Sequence, residues 1–340
     1  MKTLPKMAFA LLMTASAVQA QAQAQAQAQT QTVTVYSARN EQLIKPLFDA
    51  YTKETGVEVK VLTDNEGPLM ARLQAEGNNT AADLLITVDA GNLWQAANLG
   101  LLKAVKSDTL IKNVPVHLRD DKGLWFGLSV RARTMFFNPD LVKPEQLSSY
   151  EDLADPKWKG KLCLRTSKKV YNQSLVAMMI AQHGEAKTEK IVRGWIANLA
   201  TDVFPDDTKL LEAIAAGQCG VGIANTYYYG RIVETKPQFK TKLFWANQKS
   251  DGVHVNVSGA GVTRYAKNEA GAIKLLEWLS SSKAQNIYAD KDMEFPVNPA
   301  VKPDQLVASW GPFKSNLINM SKAGELQAQA VKLMDRAGYK

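Results

Sequence analysis

Two cysteines and three histidines are all that the 340 residues provide, and the shortage excludes several functions. No thiol or imidazole cluster suggests a zinc or copper site, because His117, His183 and His254 are scattered along the chain. No nucleophile–base motif and no phosphate-cradling glycine loop is present, so catalysis is not expected. Lys and Arg outnumber Asp and Glu by 41 to 33, yet no dense basic run is interleaved with aromatics. Nucleic acid is therefore not an expected partner, although the positive balance suits small anions or acidic surfaces. Beyond the N-terminus no apolar run approaches the ~20 residues that cross a bilayer.

The N-terminus carries more information. Lys2 and Lys6 precede a short apolar stretch, Met7 to Val18, and Val18-Gln19-Ala20 has the small residues of a cleavage site. Residues 1–20 read as a secretory signal peptide cut after Ala20, which gives an exported protein. The formal charge of +8 falls to +6 when Lys2 and Lys6 leave with it. Residues 21–31 repeat Gln-Ala without apolar periodicity and read as a disordered leader. In an oxidising compartment the even cysteine count suggests a Cys163–Cys219 disulfide; two buried free thiols are the alternative.

What remains is long enough for two lobes. Thr32 to Tyr36 reads as a strand, and Ser37-Ala38-Arg39-Asn40 as a turn able to cap the helix marked by Leu43, Leu47, Phe48 and Tyr51. Strands at Val57 to Leu62 and Asp83 to Val88 alternate with helices over 67–76 and 91–99, the pattern of a parallel sheet covered on both faces. From Leu124 to Asn138 the chain is one long extended stretch, read as crossing from the first lobe to the second, and Val253 to Val262 reads as the return. Between them lie a strand at Leu162 to Leu164, a helix opened by Tyr171-Asn172-Gln173-Ser174, and two further helices. The closing residues, 315–337, read as helical.

The second lobe also contains Asn225-Thr226-Tyr227-Tyr228-Tyr229-Gly230-Arg231, which follows the buried strand Val221 to Ala224 and opens a helix. Strand-to-helix junctions are where open α/β sheets bind ligands. Successive residues of a helical turn point about 100° apart, so two of the three phenols can converge while the third faces elsewhere. Taken alone, a tyrosine triplet reads most simply as packing; as a ligand set, its hard oxygen donors suit a hard cation.

Several stretches resemble the extracellular solute-binding proteins of ABC importers: Thr34 to Arg39, Ala82 to Leu85, Asp155-Pro156-Lys157-Trp158-Lys159-Gly160-Lys161, and Ser282 to Gln285 followed by Phe295-Pro296-Val297. The tyrosine run is similar to the branch that binds ferric iron, the bacterial periplasmic transferrins. The resemblance implies a type II periplasmic-binding-protein fold of two α/β lobes, each a mostly parallel sheet flanked by helices, with a two-stranded hinge. The first lobe is expected at 32–132 and 258–310, the second at 133–257 and 311–340. It implies Fe(III) bound in the cleft by Tyr171, Tyr227 and Tyr228, delivery to an inner-membrane ABC permease, a periplasmic location, and a monomer. The best-known subgroup uses a His and a Glu where this chain has Asn40 and Val88, so the chain is similar to the tyrosine-rich, carbonate-dependent pattern.

Three phenolates balance Fe(III) and leave room for a bidentate carbonate. Arg39, Arg131 and Asn225 are the expected anion partners, Asn225 having helix capping as its alternative. Tyr36, Arg133, Asn172 and Tyr229 are expected around them; the plainer role is core packing for Tyr36 and Tyr229, a structural ion pair for Arg133 and helix capping for Asn172. Two other readings stay open: a receptor for a small anion such as a phosphonate, and a secreted enzyme on the same scaffold.

Overall fold

The computed structural model describes residues 32–340, without the side chains of 290 and 291. The signal peptide and the Gln-Ala leader lie outside the described residues. The strands are β1 (Thr32–Ser37), β2 (Glu58–Thr63), β3 (Leu84–Thr87), β4 (Phe126–Phe137), β5 (Leu162–Cys163), β6 (Val221–Asn225), β7 (Lys242–Phe244), β8 (His254–Val262) and β9 (Phe295–Pro296). The helices used below are α1 (Glu41–Thr55), α2 (Glu66–Glu76), α3 (Ala90–Asn98), α4 (Asp108–Asn113), α5 (Val170–His183), α6 (Glu185–Ala197), α7 (Asp207–Ala215), α8 (Thr226–Thr235), α9 (Glu269–Leu279), α10 (Ser282–Asp292), α11 (Gln305–Ala308), α12 (Ser321–Glu325) and α13 (Gln327–Arg336).

The strands run β2-β1-β3-β8-β4-β6-β5, with β7 and β9 also paired to β4. The first lobe is parallel at β2-β1-β3 and the second at β5-β6. Between them β4 and β8 pair antiparallel from Phe126–Ala260 to Arg133–His254. These are the two long extended segments of the sequence, and they carry the chain across and back. Every residue of both strands is buried, as expected of strands covered on both faces.

Local chemistry sets the boundaries. Asn40 caps α1 by accepting from the Gln42 N–H, and Gly56, at φ 74°, ends it in the left-handed conformation that a side chain would resist. One detail differs from the sequence reading: residues 315–320 are not helical, and the closing helices are α12 and α13. Residues 305–310 pack against α8: Val307 is buried with Tyr227 and Met293, and Trp310 lies 5.7 Å from Tyr229 between ring centroids. α12 packs on both α3 and α5, so it touches both lobes.

Candidate metal centre

Tyr171 is the second residue of α5, and Tyr227 and Tyr228 lie in the first turn of α8. All three side chains start at helix N-termini, where the peptide dipoles favour negative charge. The Tyr227 hydroxyl donates to the Tyr171 hydroxyl at 3.1 Å. The Tyr227 and Tyr228 rings lie 4.3 Å apart, and Arg165 Nη1 donates to the Tyr228 hydroxyl at 3.4 Å. The Cys163–Cys219 disulfide joins β5 to the turn that enters β6, and these two strands lead to the two tyrosine segments. It closes a loop of 56 residues, worth about 4 kcal/mol on the loop-entropy scale.

The three phenols line a cavity of about 220 Å³ together with Arg39, Arg131, Lys169, Arg231, Glu66 and Glu294. Asn40 and Val88 line it as well, at the places the His/Glu pattern would use. Cations surround the rings: Lys169 Nζ lies 4.7 Å from the Tyr171 centroid, the Arg131 guanidinium 5.6 Å from it, and Arg231 5.0 Å from that of Tyr227. Burial pushes the Tyr171 phenol up to about 12, with Arg131 opposing. Burial, then the neighbouring Tyr171 and Tyr228, holds Tyr227 well above its ordinary value. Both are protonated near neutrality, so a cation binding there has to displace their protons.

Beneath the tyrosines runs a buried network centred on Asp207. Its Oδ2 accepts from Arg133 Nη1 at 3.0 Å and from the Asn225 backbone N–H at 3.0 Å. Arg133 also donates to Asn172 Oδ1 at 3.0 Å and to Asn225 Oδ1 at 2.9 Å. Asn172 Nδ2 donates to the carbonyls of Arg165 and Thr166, which shapes the loop before α5. The network holds the starts of α5 and α8 in one frame.

Asn225 takes a role not expected of it, and Tyr36, Tyr229 and Arg133 take the plainer role given for each. Asn225 neither reaches the cavity lining nor caps α8 with its side chain; Arg133 holds it in the network below. Tyr36 turns its hydroxyl to Glu76 at 2.9 Å, under Arg72 and away from the cleft. Tyr229 is core, 5.2 Å from Phe136 between ring centroids. Arg133 is the structural ion pair of Asp207, not a cleft group.

Arg39 and Arg131 do line the cavity, but each is already paired. Arg39 contacts Asp292 and, at 3.3 Å, Glu294; Arg131 lies 3.6 Å from Glu294. Burial opposes the Arg39 charge, and Glu294 and Asp292 outweigh it, so its pKa is raised. Sequence reasoning missed Arg165, Lys169 and Arg231, although all three flank the tyrosines in sequence. It also missed Asp292 and Glu294, which no periodicity marks, although Glu294 directly precedes the Phe295-Pro296-Val297 stretch.

The family model for the bacterial extracellular solute-binding protein matches residues 46–314. The chain is 41% identical over 312 residues to iron uptake protein A1 of Synechocystis, covering 90% of this chain and 87% of that protein. A Trichodesmium structure in complex with iron and citrate superposes with TM-score 0.88 at 41% identity, covering 91% of this chain and 100% of that one. A Bordetella ferric binding protein gives 0.84 at 39%, covering 91% and 99%. The two crossing strands, the tyrosine-lined cleft between two lobes and these likenesses agree: the chain belongs to the bacterial extracellular solute-binding proteins.

Proposed function

We propose that this protein captures Fe(III) in its interlobe cleft through the tyrosinates of Tyr171, Tyr227 and Tyr228 and delivers it to an ABC permease of the inner membrane. The observation that carries this reading is the 3.1 Å approach of the Tyr171 and Tyr227 hydroxyls, which come from separate segments at two helix N-termini. Two phenols held that close, with the Tyr228 ring tilted against that of Tyr227 at 4.3 Å, form a preorganised oxygen face for a hard cation. The naming of the relatives above for iron uptake and ferric binding points the same way.

A small dianion such as carbonate completes the coordination from the side of Arg39 and Arg131. The protein works in the periplasm after loss of residues 1–20, as a monomer and without catalysing a reaction. The test is a visible spectrum after loading with ferric iron in bicarbonate. A tyrosinate-to-iron band is expected, and Tyr227→Phe is expected to abolish it. If wild-type protein stays colourless and is instead stabilised by phosphonate without metal, the cargo is a small anion.

A further inference from the structure

Arg39 and Arg131 are the cations expected to hold the cleft anion, but their outer nitrogens are taken. Arg39 Nη1 donates to Ser258 at 2.7 Å, to Ser129 at 3.3 Å and to Glu294 Oε2 at 3.4 Å. Its Nη2 pairs with Asp292 and with Glu294 Oε1. Arg131 donates to Ser258 from both Nη atoms and to the Val88 carbonyl from Nη2, and its Nη1 faces Glu294 Oε1 at 3.6 Å. Glu294 therefore lies end-on across Arg39 and bridges to Arg131, with Ser129 donating to it as well. The two Nε atoms make no hydrogen bond and are themselves buried, so the pair offers the cleft no open donor edge.

Glu294 is held firmly. It follows Met293, whose backbone is left-handed at φ 56° and whose side chain packs on Tyr227. A Cβ at Gly230 would meet Met293 at 2.9 Å, so the tyrosine helix closes tightly on this loop. Immediately after it, β9 pairs with Ser129 and Val130 of the crossing strand. Its side chain is 4% exposed and still lines the cavity.

Two guanidinium charges and two carboxylate charges cancel within this cluster, which is how buried charges are usually tolerated. An entering anion does not meet two bare cations. It either sits beside the fixed carboxylate, among the other cations of the lining, Lys169 and Arg231, or evicts that carboxylate. A three-oxygen planar anion has the size for the first course; a branched polycarboxylate needs the second.

We propose that Glu294 is the anion-selectivity residue of the cleft: its tethered carboxylate covers the outer faces of Arg39 and Arg131, admits a small planar anion beside the cargo and keeps larger carboxylates out. The inference rests on the proposed ferric site, but its test begins without iron. Iron-free wild-type, Glu294→Gln and Glu294→Ala proteins are titrated calorimetrically with bicarbonate, oxalate and citrate, and ferric loading is then followed with each anion in turn.

Wild type is expected to bind the two small anions at least about tenfold more tightly than citrate. Gln keeps the shape and removes the charge, so it tightens all three together. Ala opens the space and raises citrate affinity selectively, roughly ten- to a hundredfold. A citrate-to-bicarbonate ratio unchanged within twofold in the Ala variant overturns the proposal. Should that variant fail to fold, Glu294→Asp, one methylene shorter with its charge kept, decides by the same ratio. A wild-type protein that takes no iron with any anion sinks the ferric reading, while the iron-free titrations still decide the role of Glu294.

Discussion

The second-lobe wall of the cleft presents phenols backed by a single buried carboxylate, whereas the first-lobe wall presents guanidiniums backed by two. Arg133 has Asp207 as its buried counter-ion, while Arg39 has both Asp292 and Glu294. Arg131 and Arg133 stand two apart on β4 and so share a face. Because the strand crosses between lobes, Arg131 serves the first wall and Arg133 the second. One wall holds neutral, protonated phenols, the other charge already neutralised. On the proposed reading, metal affinity belongs to the second lobe and anion choice to the first, so iron binds before the lobes close.

The sharpest way to break that division is to remove one group from each wall. Tyr171→Phe deletes a proposed donor and is expected to lower ferric affinity by roughly a thousandfold, about 4 kcal/mol. In the iron-free protein it removes one hydrogen bond, worth about 1 kcal/mol, so the melting temperature should move little. Arg131→Gln is expected to cost roughly ten- to a hundredfold in bicarbonate and nothing beyond that without added anion. Competition titration against a ferric chelator gives both numbers, and equal losses would erase the distinction between the walls.

Much of this was legible before any coordinates. The β-branched run of β1, the cap at Asn40 and the helix-ending Gly56 each act through local backbone chemistry, which a sequence displays directly. The crossing strands showed as long apolar stretches, because strands buried on both faces carry no alternation. That Tyr171, Tyr227 and Tyr228 share one cavity was expected through resemblance; residue type alone gives packing as the simpler answer. What stayed hidden was long-range pairing. Nothing local tells that Asp292 and Glu294 fold back on Arg39, or that Asp207 sits under Asn225. For the same reason Asn225 takes a role the sequence did not suggest: it stands beside a plausible site, but its side-chain oxygen is bound by Arg133, far along the chain.

The unequal backing of the walls leads to a second comparison, of moderate size. Asp207→Asn leaves Arg133 buried without a counter-ion, a loss expected to cost about 3–5 kcal/mol. Asp292→Asn leaves Arg39 its second carboxylate, Glu294. Burial, opposed by Arg39 and reinforced by Glu294, pushes the Asp292 carboxyl up to about 6, so its charge is already weakly held. Its replacement is expected to cost less than about 2 kcal/mol. Urea unfolding at pH 7 measures both, and a larger loss from Asp292→Asn would show that the first wall depends on that residue rather than on the pair.

Asp89 joins the walls, and its effect is read as a dependence on pH. It caps α3 by accepting from the Gly91 N–H at 2.7 Å, and it accepts from Ser174 of α5 at 2.9 Å and from Asn256 of β8 at 2.9 Å. One carboxylate thus ties the first lobe, the second lobe and a crossing strand. Burial pushes its pKa from 3.8 up to about 6, with Gly91, Arg131 and Ser174 opposing. The folded protein therefore holds this proton more tightly than the unfolded chain does. The associated stability is complete below about pH 4 and is lost as pH rises through about 6. A shift of ~2 units at about 1.4 kcal/mol each makes the loss roughly 3 kcal/mol. Asp89→Asn cannot titrate, and all other groups are common to both proteins. Urea unfolding from pH 4 to pH 7 should therefore show the stability of wild type relative to this variant falling by about that amount. A gap that stays constant, or that widens with pH in favour of wild type, would mean that Ser174, Asn256 and the α3 N-terminus hold Asp89 as a fully compensated carboxylate, and that the joint between the walls is charged throughout.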